Sequence, residues 1–166
     1  MEINSLEDLF IEQLYDMYYA ENKLTKALPK MAKKANDAKL KKAFETHLEE
    51  TKDQIVKIEN IMRSLDIKIK GEKCEAIEGL LKEADELMSN IKEPEALDAG
   101  LILAAQKIEH YEIATYGCLC AFANRLGYKA VGKILHSILE QERKTDSALT
   151  NLAEISPCLN ELAKVA

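Results

Sequence analysis

Apolar residues along this chain recur at steps of three and four, not two. Phe10, Leu14, Met17, Glu21, Leu24, Leu28 and Met31 fall on one stripe, the spacing of a buried helical seam. Ser5 is placed to cap its start, with an acid, Asp8, three residues later as in a capping box. Pro29 should kink this helix, because its ring removes one hydrogen bond and crowds the preceding turn. Asn36-Asp37 breaks it. A second helix is expected over about residues 37–65, with an apolar face of Phe44, Leu48, Ile55, Ile58, Met62 and Leu65. The short connection makes these two helices antiparallel neighbours.

Residues 66–94 interrupt the pattern. Ile67 to Gly71 reads as loop, and a short amphipathic helix is expected from Glu75 to Ser89 through Ile77, Leu80, Leu81, Ala84, Leu87 and Met88. Pro94 suits the first turn of a third long helix over about residues 95–126, with Gly127 as its stop. A fourth covers about residues 129–155. Pro157 ends it and leaves a docked or frayed tail. No useful run alternates with period two, so no sheet is expected. The fold class is therefore all-α: a ferritin-like antiparallel four-helix bundle. Its long crossover joins the second and third long helices, runs the length of the bundle and carries a short fifth helix.

Length and composition sharpen this. The chain has 166 residues, enough for a single domain over residues 1–166 and no second core. Apolar residues at 47% and charged residues at 31% exclude a disordered tail and a membrane protein. The net charge of −6 argues against nucleic acid as a partner. The lysines from Lys23 to Lys42 form a local exception. They read as solvated helix ends, with no aromatic or glycine-rich recognition feature beside them. Met1-Glu2-Ile3-Asn4 has no basic or apolar signal region, and the apolar run at 100–105 is too short to span a bilayer. Cys74, Cys118, Cys120 and Cys158 show no C-x-x-C spacing. Reduced thiols in a cytoplasm are the expectation.

Acids stand where leucines would be expected. On a wheel of about 100° per residue, Glu21 lies mid-stripe on the first helix. Glu109 and Glu112 lie in the stripe Ile102, Ala105, Ile113, Tyr116, Cys120 and Ala123 on the third. Glu142 is central among Val131, Ile134, Leu135, Ile138, Thr145, Leu149 and Leu152 on the fourth, with Asp146 at the stripe's edge. Glu21 is 16 residues past Ser5, Glu109 is 15 past Pro94 and Glu142 is 13 past Lys129. At the rise of a helix these lie roughly 20–24 Å along it, so all three levels meet near mid-bundle. Buried carboxylates must be protonated, paired or metal-bound, and no Lys or Arg shares those seams at those depths. A metal site is the expectation. On the second helix, Glu50 sits roughly 110° from the centre of the face, while His47 and Gln54 lie closer in. The helix ligand stays open among these three.

The chain resembles the YciE/YciF-like, stress-associated family of the ferritin-like superfamily. The likeness is carried by Ala20-Glu21-Asn22-Lys23-Leu24, His47-Leu48-Glu49-Glu50-Thr51, Ala105-Gln106-Lys107-Ile108-Glu109-His110-Tyr111-Glu112 and Leu139-Glu140-Gln141-Glu142-Arg143-Lys144-Thr145-Asp146. It implies a dinuclear centre of two divalent metal ions, iron or manganese, held by Glu21, Glu50, Glu109, Glu112 and Glu142, with Asp146 as ligand or support. The superfamily pattern has a histidine three residues after the second-helix and fourth-helix Glu; here Asp53 and Thr145 stand instead. An all-oxygen site suits hard ions such as Mn²⁺, Mg²⁺ or Ca²⁺. His47 is a substitute ligand or a core residue, and His110 is turned off the site. Tyrosines near the acid levels read as hydrogen-bond donors. The implied activity is oxidase-like or peroxidase- and catalase-like. The alternatives are metal storage and a non-enzymatic helical module. A second face on the third helix, Leu103, Gln106, His110, Ala114, Gly117 and Ala121, predicts a homodimer.

Overall fold

Ser5 starts the first helix as its spacing predicts. Its Oγ accepts from the Asp8 backbone N–H at 3.0 Å, satisfying one of the free N–H groups of a helix start, and the Asp8 carboxylate reaches back to accept from the Asn4 N–H at 3.1 Å. The computed structural model describes residues 2–155 and 158–164. Helices run over Leu6–Lys34 (α1), Ala38–Ser64 (α2), Glu75–Asn90 (α3), Pro94–Arg125 (α4), Lys129–Glu154 (α5) and Leu159–Ala163 (α6). No strand occurs among the described residues. Pro29 lies inside α1, which continues through it as one helix, and Pro94 takes the first position of α4. Pro157, expected to end the last long helix, lies outside the described residues. The tail docks: α6 buries Leu159 against α4 and α5.

The expected bundle is the observed one. α1 packs on α2 and α4 on α5, while α1–α4 and α2–α5 close the ring. Cross-links fix the directions that helical periodicity leaves open. Asp98, near the start of α4, accepts from the backbone N–H of Asn36 at 2.7 Å and of Asp37 at 2.8 Å, just past the end of α1. Phe10, near the start of α1, packs on Tyr128 beyond the end of α4, with ring centroids 6.0 Å apart. α1 and α4 are therefore antiparallel. Lys57 of α2 donates to Gln141 of α5 at 3.0 Å, which pairs those two in register. The crossover must then climb the whole bundle. Its first stretch runs along α1, where the Glu72 N–H donates to the Tyr15 carbonyl at 3.3 Å and Lys70 lies 4.4 Å from the Tyr15 ring centre, and α3 then packs chiefly on α4.

The C-terminal ends of α2 and α4 close with the same device. At α4 the N–H of Tyr128 donates to the Ala123 carbonyl at 2.8 Å around Gly127 at φ +83°. At α2 the N–H of Ile67 donates to the Met62 carbonyl at 3.0 Å around Asp66 at φ +54°. A left-handed residue there satisfies the last carbonyls of the helix.

The core follows three of the four expected stripes. All seven α1 positions are buried, Glu21 among them, with Ile58 and Met62 from α2 and Tyr116, Leu135 and Leu149 from α4 and α5. The α2 stripe is corrected. Leu48, Ile55 and Leu65 are only half-buried, and the centre of the face belongs to His47, Thr51 and Gln54. These polar side chains sit inside because they face acids, not leucines. All four cysteines are free thiols; Cys74 is buried and Cys118 exposed. Among the described residues no helix is long and apolar enough to cross a membrane.

Candidate metal centre

Three helices bring acids to one level, and α2 brings a histidine. Glu109 and Glu112 lie three residues apart on α4, so they share a face. Glu142 arrives from α5 and His47 from α2. Ligand atoms of these four residues lie within 4.8 Å of one another, and all four side chains are buried. His47 Nε2 is 3.1 Å from Glu109 Oε1 and 3.9 Å from Glu142 Oε2. The 3.1 Å approach lacks the alignment of a hydrogen bond.

Glu21 adjoins this group from α1. Its Oε1 accepts the Tyr116 hydroxyl, so that tyrosine has the hydrogen-bonding role expected of it. Gln54 donates to Glu142 Oε1. Thr51 lies between His47 and Gln54 on the same face, fully buried. Glu50 and Asp146 are outside the group of four. Glu50 is half-buried, its Oε2 3.7 Å from His47 Nδ1, so it touches the rear of the imidazole. Asp146 accepts from Gln106 at 3.2 Å and lies 3.4 Å from His110 Nε2. His110 is itself turned outward, as expected.

The polar inventory is unbalanced. Among the described residues, every buried side-chain nitrogen or oxygen without a hydrogen-bond partner belongs to Glu21, His47, Thr51, Gln54, Glu109, Glu112 or Glu142. Both oxygens of Glu112 are among them. Native cores leave few such atoms, and each has a cause. No Lys or Arg is buried with them. Burial pushes the Glu21 carboxyl up to about 7, aided by the charge of Glu109 and opposed by the Tyr116 hydroxyl and His47. Burial, then the charges of Glu21, Glu142 and Glu109, hold Glu112 well above the usual carboxylate range. Burial, then Glu21 and Glu109, do the same to Glu142. For His47 burial works against the charged form, but Glu109, Glu50 and Glu142 outweigh it and hold the imidazole well above its ordinary value.

These donors suit divalent cations. Four carboxylates and one imidazole, buried with no Lys or Arg among them, would offer a cation mixed oxygen and nitrogen ligation and negative charge to neutralise. The group brought together here includes an imidazole, where the resemblance implies oxygen ligands alone. His47 joins because it lies on the inward face; the signal was its step of four and three to Thr51 and Gln54.

Comparison with known proteins agrees with the fold. Residues 5–162 match the family described as Domain of unknown function (DUF892). The chain is 48% identical to Protein YciF of Escherichia coli K12 over 154 residues, 92% of this chain and 93% of that one. The crystal structure of the E. coli stress protein YciF aligns with a TM-score of 0.87 over 90% of this chain and 95% of that one. YcfI of Rhodopseudomonas palustris, a candidate structural protein by its description, aligns with a TM-score of 0.90 at 41% identity, covering 92% of this chain and 97% of that one. A Xanthomonas campestris protein at 21% identity and a TM-score of 0.70, over 89% of this chain and 90% of that one, shares the fold.

Proposed function

This chain belongs to the DUF892 family, whose description names no activity, and from the site itself we propose a ferritin-like, stress-associated metal protein with a dinuclear centre in the bundle core. The whole chain, residues 1–166, acts as one domain in the cytoplasm. Two divalent ions, iron or manganese, are held by Glu21, His47, Glu109, Glu112 and Glu142. Glu50 braces His47 from behind, and Asp146 stands one turn beyond Glu142. The observation that carries this reading is the confinement, among the described residues, of every unpartnered buried side-chain nitrogen and oxygen to that one cluster.

Two ions in such a site would supply redox chemistry on oxygen or peroxide. The residues contribute the rest. Tyr116 and Gln54 each fix one oxygen of a carboxylate, Glu21 and Glu142, and so leave the other oxygen free toward the cluster. The leucine, isoleucine and methionine packing above and below keeps bulk water out.

Protein purified without added metal or chelator should contain two divalent ions per chain by elemental analysis. Glu109→Ala should lose most of that metal and keep its helical circular dichroism. Full stoichiometry and unchanged affinity in Glu109→Ala would overturn the dinuclear reading. A structural role, as the description of YcfI has it, would then lead. The α4 face supports a homodimer alongside either reading. Leu103 is 51% exposed and Ala114 and Ala121 are exposed. A Cβ built on Gly117 meets nothing within 4 Å, so the chain's own packing does not require glycine there. Light scattering at micromolar concentration should give twice the chain mass; a monomer would refute it.

A further inference from the structure

A cavity lies outside the buried cluster, at the seam of α2, α5 and α6. It encloses about 720 Å³, within the usual range for small-molecule sites, which are mostly apolar with a few placed polar groups. Its apolar wall is Ala43, Ala148, Leu152, Ile155, Leu159 and Leu162. Ile155 and Leu162 are left 62% and 47% exposed beside it. Large apolar side chains left open around a concave surface mark a binding site more often than a plain surface.

The charges around it have one sign to spare. Lys39, Lys42 and Lys144 line the cavity, and none of them forms an ion pair among the described residues. Three ammonium groups against its two acids, Asp37 and Glu50, leave one positive charge in excess. The Asp37 carboxylate caps α2 by accepting from the N–H groups of Lys39 and Leu40. Glu50 faces His47. In a chain of net charge −6, that excess around an apolar cavity is a local reversal.

We infer that the α2–α5–α6 cavity binds an amphipathic carboxylate, such as a medium-chain fatty acid, with its head between Lys42 and Lys144 and its tail along Leu152, Ile155 and Leu159, past Lys39. The stretch of α5 from Lys144 to Ile155 spans about 16 Å at the rise of a helix, room for an extended chain. The inner wall is Glu50 and Thr145, each three residues from a cluster side chain, His47 and Glu142. A bound head therefore lies against the outside of the buried centre. This site stands whether or not the cluster holds metal.

The test uses the full chain and dodecanoate below its micelle concentration, by isothermal titration. One dodecanoate should bind per chain, and more weakly as salt rises, because exposed charges are screened. Dodecyltrimethylammonium, with the same tail and the opposite head, should not bind. Lys42→Glu with Lys144→Glu should weaken dodecanoate about tenfold, the sum of reversing two exposed charge contacts. Ala148→Trp, at an exposed helical position, should fill the cavity and abolish binding with the helical circular dichroism unchanged. The inference is overturned if wild-type protein takes up no dodecanoate, if the cationic analogue binds as tightly, or if Ala148→Trp binds undiminished.

Discussion

Glu112 has both carboxylate oxygens enclosed and unbonded, so what it does to the fold depends on its proton. Glu21 and Glu142, each with one enclosed oxygen unbonded, depend on their protons in the same way. In each, the folded protein raises the carboxyl above its free value. Between the two values the folded state holds more protons than the unfolded state, so stability falls as pH rises. For Glu21 that window runs from 4.5 to about 7; for the other two it starts at the same place and extends upward. His47, raised by its acids, contributes stability that is full below its free value and lost as pH climbs through the raised one. The signs agree. Metal-free protein should melt at a lower temperature at pH 8 than at pH 5.5. Saturating Mn²⁺ should reverse the order, because ions compete with protons for the same oxygens. A metal-free Tm that climbs steadily from pH 5.5 to 8 would contradict this. The acids were legible as residues, since carboxylates in an apolar stripe violate the stripe. His47 was less so. It sits beside Leu48, and a reading that follows apolar residues draws the α2 face through the leucine.

The long crossover shows what an element can hide. Its turn residues marked Ile67 to Gly71 as loop, and it is one. Nothing local told that the segment is pinned to α1. At Gly71 a Cβ would stand 3.1 Å from Tyr19 Cα and 3.2 Å from its backbone nitrogen. Backbone cannot swing aside as a side-chain tip can, so glycine here permits close approach. Gly71→Ala should destabilise the chain by about 1–3 kcal/mol, lowering Tm without changing helix content. Unchanged stability would mean that the crossover yields freely. Helix ends were legible where chemistry is specific, as at Ser5 and Gly127. Asp66 adopts the same left-handed turn without advertising it, because aspartate is common in many other settings.

At the scale of the molecule, the four seams announced four helices, and equal depth of the acids announced a meeting point. Direction was not announced, since a midpoint is the same from either end. Tertiary pairs supply it, Asp98 above all. This carboxylate is 1% exposed, belongs to the second hairpin, and holds two backbone N–H groups of the turn in the first. Turn amides on a surface ordinarily trade their hydrogens with solvent fast, since local fraying exposes them. Those of Asn36 and Asp37 should not. They can exchange only when α4 withdraws from the α1–α2 turn, so in deuterated water they should keep pace with the bundle core and not with the other loops. Asp98→Ala should release both at once. If the wild-type pair exchanges at the unprotected rate, the clasp is not closed in solution. If it is slow, two loop hydrogens become a clock for how often the two halves of this protein come apart.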